Sequence, residues 1–155
     1  MKTTAKLHKA YMREDIPGLV FDNFNRGKWL AGHITAPTVN PNFIVLLVTL
    51  NKKDMSEDYL YKDGFKSTTE FNWQSQNSTS QDSNKGQQLL NHKKNKLPVL
   101  LFVRGTKKVK GKAAPFTYCG ELEFQKVRGN KPMSVNWKLR NALTPELLKE
   151  FRNSK

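Results

Sequence analysis

The chain of 155 residues carries one cysteine, Cys119, which excludes an intrachain disulfide and points to a reducing compartment. Long apolar runs are missing too. The longest, FIVLLVTL at 43–50, falls far short of the roughly 20 residues a helix needs to cross a bilayer. The opening MKTTAKLHKAYMRED lacks the apolar core of a secretory leader. A cytoplasmic protein with no membrane partner is expected. Glycine-rich loops of the P-loop type are absent. His8, His33 and His92 stand far apart without metal-ligand spacing, and one cysteine cannot complete a zinc site. Each is read as an ordinary histidine, because catalytic imidazoles need partners within hydrogen-bond reach. No metal, cofactor or catalytic residue is expected.

Acidic residues are scarce where basic ones are dense. Net charge is +14, and residues 85–140 hold 14 basic and 2 acidic side chains, against 10 and 9 in residues 1–84. Such concentration suits a polyanion, DNA or RNA, better than it suits solubility alone. The plainer alternative is a solvated basic face. A membrane-surface role is disfavoured, because no basic amphipathic helix with an aromatic face is present.

No repeat or linker divides the chain, so residues 1–155 read as one domain. FIVLLVTL (43–50) and PVLLFVRG (98–105) read as central strands buried on both faces. KWLAGHIT (28–35), EFNWQ (70–74), PFTYCGELEF (115–124) and SVNWKL (134–139) are further strands, about six in all. The alternation of the third places Phe116, Tyr118, Gly120, Leu122 and Phe124 on one face. LTPELLKEFRN reads as a C-terminal helix capped by Thr144 with Pro145 at its first position. SNKGQQLLNHKK (83–94) is a weaker helix because of Gly86, and REDIPGLVFDNF holds a helical turn after Pro17. Residues 75–88 read as a long loop, and GTKKVKGKAAP (105–115) as an exposed basic hairpin.

One binding constellation stands out. Trp73, Phe71, Phe65, Tyr59, Tyr61 and Tyr118 offer stacking faces, while Gln74, Gln76 and Asn77 offer amides with a donor and an acceptor in one plane. The competing reading makes these aromatics core and the amides caps of local turns. Lys93, Lys94, Lys96, Lys107, Lys108, Lys110 and Lys112 are the expected phosphate contacts. An enzyme remains the alternative from another class, a small metal-dependent nuclease, although only Glu121 and Glu123 lie in the basic region. An RNA-binding accessory domain is the third.

YMREDIPGLVFDNFNRGKWLAGHI, FNWQSQN, LPVLLFVRG and PFTYCGELEF, in that order, resemble a C-terminal domain of formerly unknown function in bacterial helicase and nuclease proteins, including modification-dependent (type IV) restriction enzymes. The resemblance implies a β-rich α+β module, strongly twisted or barrel-like, akin to SRA and PUA-like readers. It implies recognition of duplex DNA carrying modified cytosine, 5-methyl or 5-hydroxymethyl, with catalysis left to nuclease or helicase modules of a longer chain. Its motif-bearing positions here are Tyr11, Arg13, Trp73, Gln74, Ser75, Gln76, Arg104, Tyr118 and Gly120. With these, base recognition is expected at Trp73, Gln74, Ser75, Gln76, Asn77, Phe65 and Tyr118, through an extruded base. Arg13 and Arg104 join the lysines on phosphate.

Overall fold

The computed structural model describes residues 2–51 and 63–152. At its centre lie β3 (Phe43–Asn51) and β6 (Val99–Thr106), paired in parallel from Ile44↔Val99 to Asn51↔Thr106. Their continuous apolar runs are what strands covered on both faces require. Ile44, Leu46, Val48, Val99, Leu101 and Val103 enter one core with Phe65, Phe71, Trp73, Trp137, Leu89 and Phe151. Phe43, Val45, Leu47, Leu100 and Phe102 enter a second core with Ile16, Val20, Trp29, Phe116 and Tyr118.

Around this pair the sheet grows in both directions. β2 (His33–Ala36) flanks β3 antiparallel, while β9 (Phe116–Arg128) flanks β6 and leads on to β10 (Ser134–Leu139), β5 (Glu70–Gln74) and β4 (Gly64–Phe65). β1 (Ala10–Tyr11) pairs with the start of β9. The mixed, β-rich α+β architecture matches expectation, but barrel closure does not. The ladder path begins at β2 and ends at β4, with no ladder joining the two among the described residues. Side chains meet across the seam instead: the rings of His33 on β2 and Trp73 on β5 lie 6.1 Å apart, edge to face.

β9 curves the sheet through two register shifts, one opposite Leu101/Phe102 and one opposite Asn136/Trp137. The first breaks the alternation expected of PFTYCGELEF. Leu101 faces Gly120 and Phe102 faces Tyr118, leaving Cys119 as an extra residue. Phe116 and Tyr118 therefore enter the second core, while Cys119 and Leu122 enter the first. Gly120 sits at φ +94°, where a Cβ would also crowd Leu7, so the bulge favours glycine there.

Helices are short. After a 3-10 turn at Arg13–Asp15 comes α1 (Ile16–Leu19), the turn expected after Pro17. KWLAGHIT is not a single strand: Asn25 accepts a hydrogen bond from the Lys28 amide and caps α2 (Arg26–Trp29), and β2 starts only at His33. In α3 (Asn84–Leu90), Ser83 caps the Gly86 amide at 3.1 Å. Gly86, expected to weaken this helix, is required by packing, because a Cβ would lie 2.0 Å from the Ser80 carbonyl oxygen. α4 (Pro145–Arg152) has the expected cap, Thr144 Oγ1 accepting from the Leu147 amide.

Candidate nucleic-acid interface

Beyond Thr106 the chain forms the expected hairpin, β7 (Lys108–Val109) paired with β8 (Lys112–Ala113). Its two-residue turn, Lys110–Gly111, has φ of +52° and +79°, the backbone signs of a type I′ turn matched to strand twist. Lys107, Lys108, Lys110 and Lys112 are all exposed, and none forms an ion pair among the described residues. At the hairpin's root Arg104 is buried. Its Nε donates to Thr49 Oγ1 at 2.8 Å and its Nη1 to the Ala114 carbonyl at 3.2 Å. Its guanidinium lies 4.3 Å from the Phe116 ring centroid, and that of Arg13 lies 5.2 Å from the same centroid. Arg13 Nη1 donates to the Trp29 carbonyl at 2.8 Å. Burial lowers the pKa of both arginines, and the neighbouring Arg13 lowers that of Arg104 further.

Lys93, Lys94 and Lys96 stand elsewhere. They precede β6 while the hairpin follows it, so a strand of about 25 Å separates the two lysine groups. This end is partly neutralised. Lys93 lies 3.7 Å from Glu123, and Arg140 lies 3.1 Å from Glu121 and 3.7 Å from Glu123, around a cleft of about 250 Å³. Both carboxylates that a nuclease reading would recruit are thus engaged by cations. Among the described residues no group of three His, Cys, Asp or Glu side chains is gathered to hold a metal. His92 is structural: with Nδ1–H donating to the Leu97 carbonyl, Nε2 accepts from the Phe124 amide, both at 3.2 Å.

The stretch 71–77 is largely packed. Trp73 is 5% exposed and Phe65 8%, both in the first core, and Tyr118 belongs to the second. Their ring faces meet neighbours: Phe65 stacks on Phe151 at 5.3 Å, and Tyr118 lies 4.9 Å from Phe102. Ser75 is buried, its Oγ accepting from the Met133 amide at 2.9 Å. The Gln74 backbone N–H donates to Asp63 Oδ1 at 2.7 Å. Only Gln76 and Asn77 are exposed. Tyr59 and Tyr61 lie outside the described residues. The long loop is tied down as well, since Gln81 donates from its backbone to Asn130 and from its side chain to the Gly129 carbonyl.

One concave site was missed by the sequence reading. At the open seam, α2, β2 and α3 enclose a cleft of about 420 Å³ lined by Lys28, Ala31, His33, Ile34, Lys85 and Gln88, with Thr35 and Thr38 beside them. His33 is 4% exposed, and its Nε2 has no hydrogen-bond partner among the described residues. Burial first, and then Lys85, push its pKa down to about 4 against a hydrogen bond with the Gln88 side chain that raises it, so the ring is neutral at physiological pH. Asp22 fixes the rim by accepting from Lys28 Nζ at 2.7 Å, Trp29 Nε1 at 3.2 Å and Thr38 Oγ1 at 3.1 Å. No local spacing announces this site, because residues 27–38 and 85–88 come together only across the sheet's seam.

The family described as a domain of unknown function (DUF3427) matches residues 5–151. No curated protein sequence matches the chain. Among solved structures, the DNA modification-dependent restriction endonuclease AspBHI is similar at 15% identity and a TM-score of 0.51, over 94% of this chain and 45% of that one. The DNA recognition domain of the cytosine modification-dependent restriction endonuclease LpnPI aligns at 12% identity and 0.47, over 81% and 68%. The MspJI restriction endonuclease in complex with a 27-mer oligonucleotide aligns at 10% identity and 0.47, over 90% and 34%. The chain thus spans less than half the length of AspBHI and about a third of MspJI.

Proposed function

The chain belongs to the DUF3427 family, and we propose that it is a DNA-recognition domain that binds duplex DNA and discriminates modified cytosine. The observation that carries this reading is uncompensated charge. Four exposed lysines on one hairpin, with Arg13 and Arg104 at its root, have no acidic partner within ion-pair distance among the described residues. The fold shared with AspBHI, an enzyme dependent on DNA modification, supports the choice of DNA and of modification as the quantity read. In this reading cleavage belongs to other modules, of nuclease or helicase type, in a longer chain.

The base seat we favour is the seam cleft rather than the ring of Trp73. Its volume falls within the ~300–1,000 Å³ of small-molecule sites. Gln88, which hydrogen-bonds the neutral, buried His33 ring, supplies a side-chain amide for the polar edge of an extruded cytosine. Lys85 at the rim suits a phosphate, whereas Lys28 is already held by Asp22 and Thr38. Ala31 and Ile34 offer an apolar wall to a C5 methyl, whose burial is worth about 0.8 kcal/mol, roughly fourfold in affinity. Trp73 then acts from behind, packing on the His33 ring. Gln76 and Asn77 retain a place as exposed amides for contacts outside the cleft.

Binding to matched duplexes containing cytosine, 5-methylcytosine or 5-hydroxymethylcytosine tests the reading. Tighter binding of a modified duplex, lost in Gln88→Ala while affinity for the unmodified duplex stays, is the expected result. Equal affinity for all three duplexes removes modification from the reading, and no binding at low salt removes DNA.

A further inference from the structure

Arg13, Arg104 and Phe116 are far apart in sequence, yet the fold brings two guanidiniums to one ring. Arg104 arrives on β6 and faces the same core as Leu100 and Phe102, Arg13 follows β1, and Phe116 opens β9. Two cations held against one benzene face or its opposite repel each other, and partial burial weakens the water that would screen them. A structural arginine pair of this kind is ordinarily closed by a carboxylate. Here the hydrogen-bond acceptors are all neutral, namely Thr49 Oγ1 and the carbonyls of Ala114 and Trp29, and the neighbouring Glu14 carboxylate acts on Arg13 only from beyond ion-pair distance. Those three bonds occupy Nε and Nη1 of Arg104 and Nη1 of Arg13. Each guanidinium carries five N–H donors, so most of the set has no described acceptor.

We propose that Arg13 and Arg104, stacked on Phe116, form a preformed seat for a phosphoryl group, distinct from the exposed lysine hairpin beside it and filled by a DNA backbone phosphate. The fork geometry of guanidinium matches phosphate oxygens in a way that a lysine ammonium does not. The ring removes one side of each cation from solvent and fixes its plane before the anion arrives. The neutral acceptors hold both stems in place: Ala114 closes the hairpin, and Trp29 ends α2, whose Gly27 and Lys28 line the seam cleft, so one phosphate is set between the two. The seat itself needs only the local geometry. Its assignment to DNA rests on the function proposed above.

Arginine Nε–H resonances of the whole chain, followed by NMR at constant ionic strength, read the seat directly. Titration with inorganic phosphate is expected to move Arg13 and Arg104 together and to saturate, while exposed Arg128 moves little. Arg13→Gln, at a half-exposed position, should weaken the Arg104 response at least tenfold, with the spectrum of the core unchanged. With unmodified duplex the same two resonances should move, and Arg13→Gln should lower the slope of log affinity against log salt by about 0.9. Resonances indifferent to both phosphate and duplex overturn the seat. A response to phosphate without a response to a duplex that binds overturns its assignment to the DNA backbone. A response to duplex in a protein that does not distinguish modified cytosine keeps the seat and removes the specificity proposed above.

Discussion

Two polar segments, residues 105–115 and residues 71–77, sit at strand ends and look alike in being rich in hydrogen-bonding side chains. What holds them differs. The first projects four lysines into solvent on a two-stranded ribbon attached at Arg104 and Ala114. The second is bound in from several directions: Trp73 by the first core and His33, Ser75 by Met133, and the Gln74 backbone by Asp63. A segment with its donors already satisfied can support a site, whereas one with unpaired charge can meet a partner. The same contrast divides the two lysine groups, because Lys93 has Glu123 beside it and the hairpin lysines have no ion-pair partner among the described residues.

The largest expected effect separates support from contact in the packed segment. Trp73→Ala removes a 5%-exposed indole from the core and should destabilise the fold by about 3–5 kcal/mol, measured by denaturant unfolding. A loss under 1 kcal/mol, with modified-duplex preference gone, would return Trp73 to direct stacking on the base and break the contrast.

His33 tests the same packed side through pH. Its folded pKa, lowered to about 4 by burial, lies below the ordinary 6.5, so the unfolded chain binds the proton more readily. Its contribution to stability is therefore complete above pH 6.5 and lost as pH falls from there toward 4. The full span is on the order of 3 kcal/mol, since each tenfold difference in proton affinity between the folded and unfolded chain is worth about 1.4 kcal/mol. His92 is lowered too, mainly by burial, and adds a slope of the same sign. Comparing the chain with His33→Gln between pH 7 and 4 isolates the first residue, and identical slopes would mean that His33 is not held neutral.

The exposed side is tested by salt. Changing Lys107, Lys108, Lys110 and Lys112 to Gln should lower the salt slope of duplex binding by about 0.9 for each phosphate no longer neutralised, with stability unchanged within roughly 0.5 kcal/mol. The same change at Lys93, Lys94 and Lys96 should do less, because Glu123 already offsets Lys93. Equal reductions in slope from the two sets would show that the DNA path runs along the full length of β6 and reaches both ends.

These differences mark what was legible in the sequence. The apolar runs at 43–50 and 98–105 suit doubly buried strands, Thr144 with Pro145 suits the start of a helix, and both form as expected. Local chemistry sufficed for both. The phase of β9 was not legible, because the extra residue at Cys119 turns the strand over without altering its composition. Burial of Trp73 could not be read from its amide neighbours, since a strand sends Trp73 inward and Asn72 and Gln74 the other way. The hairpin lysines were identifiable because charge density is a sum over residues. The seam cleft was not, because His33 and Gln88 meet only when the sheet curls and α3 spans the gap.

The smallest effect is the most discriminating for residues 71–77. Gln76 and Asn77 are exposed, their side chains are not used as donors or acceptors to the rest of the described chain, and they adjoin a loop anchored at Ser75 and Thr79. Changing both to Ala removes no packing and should leave stability within about 0.5 kcal/mol. If the cleft alone reads the base, the ratio of affinities for 5-methylated and unmodified duplex should also stay within twofold, as competition binding at fixed salt would show. If the ratio collapses while Gln88→Ala leaves it intact, the amides are the readers after all. The packed segment would then be a rigid mount that presents them, and the seam cleft would have another occupant.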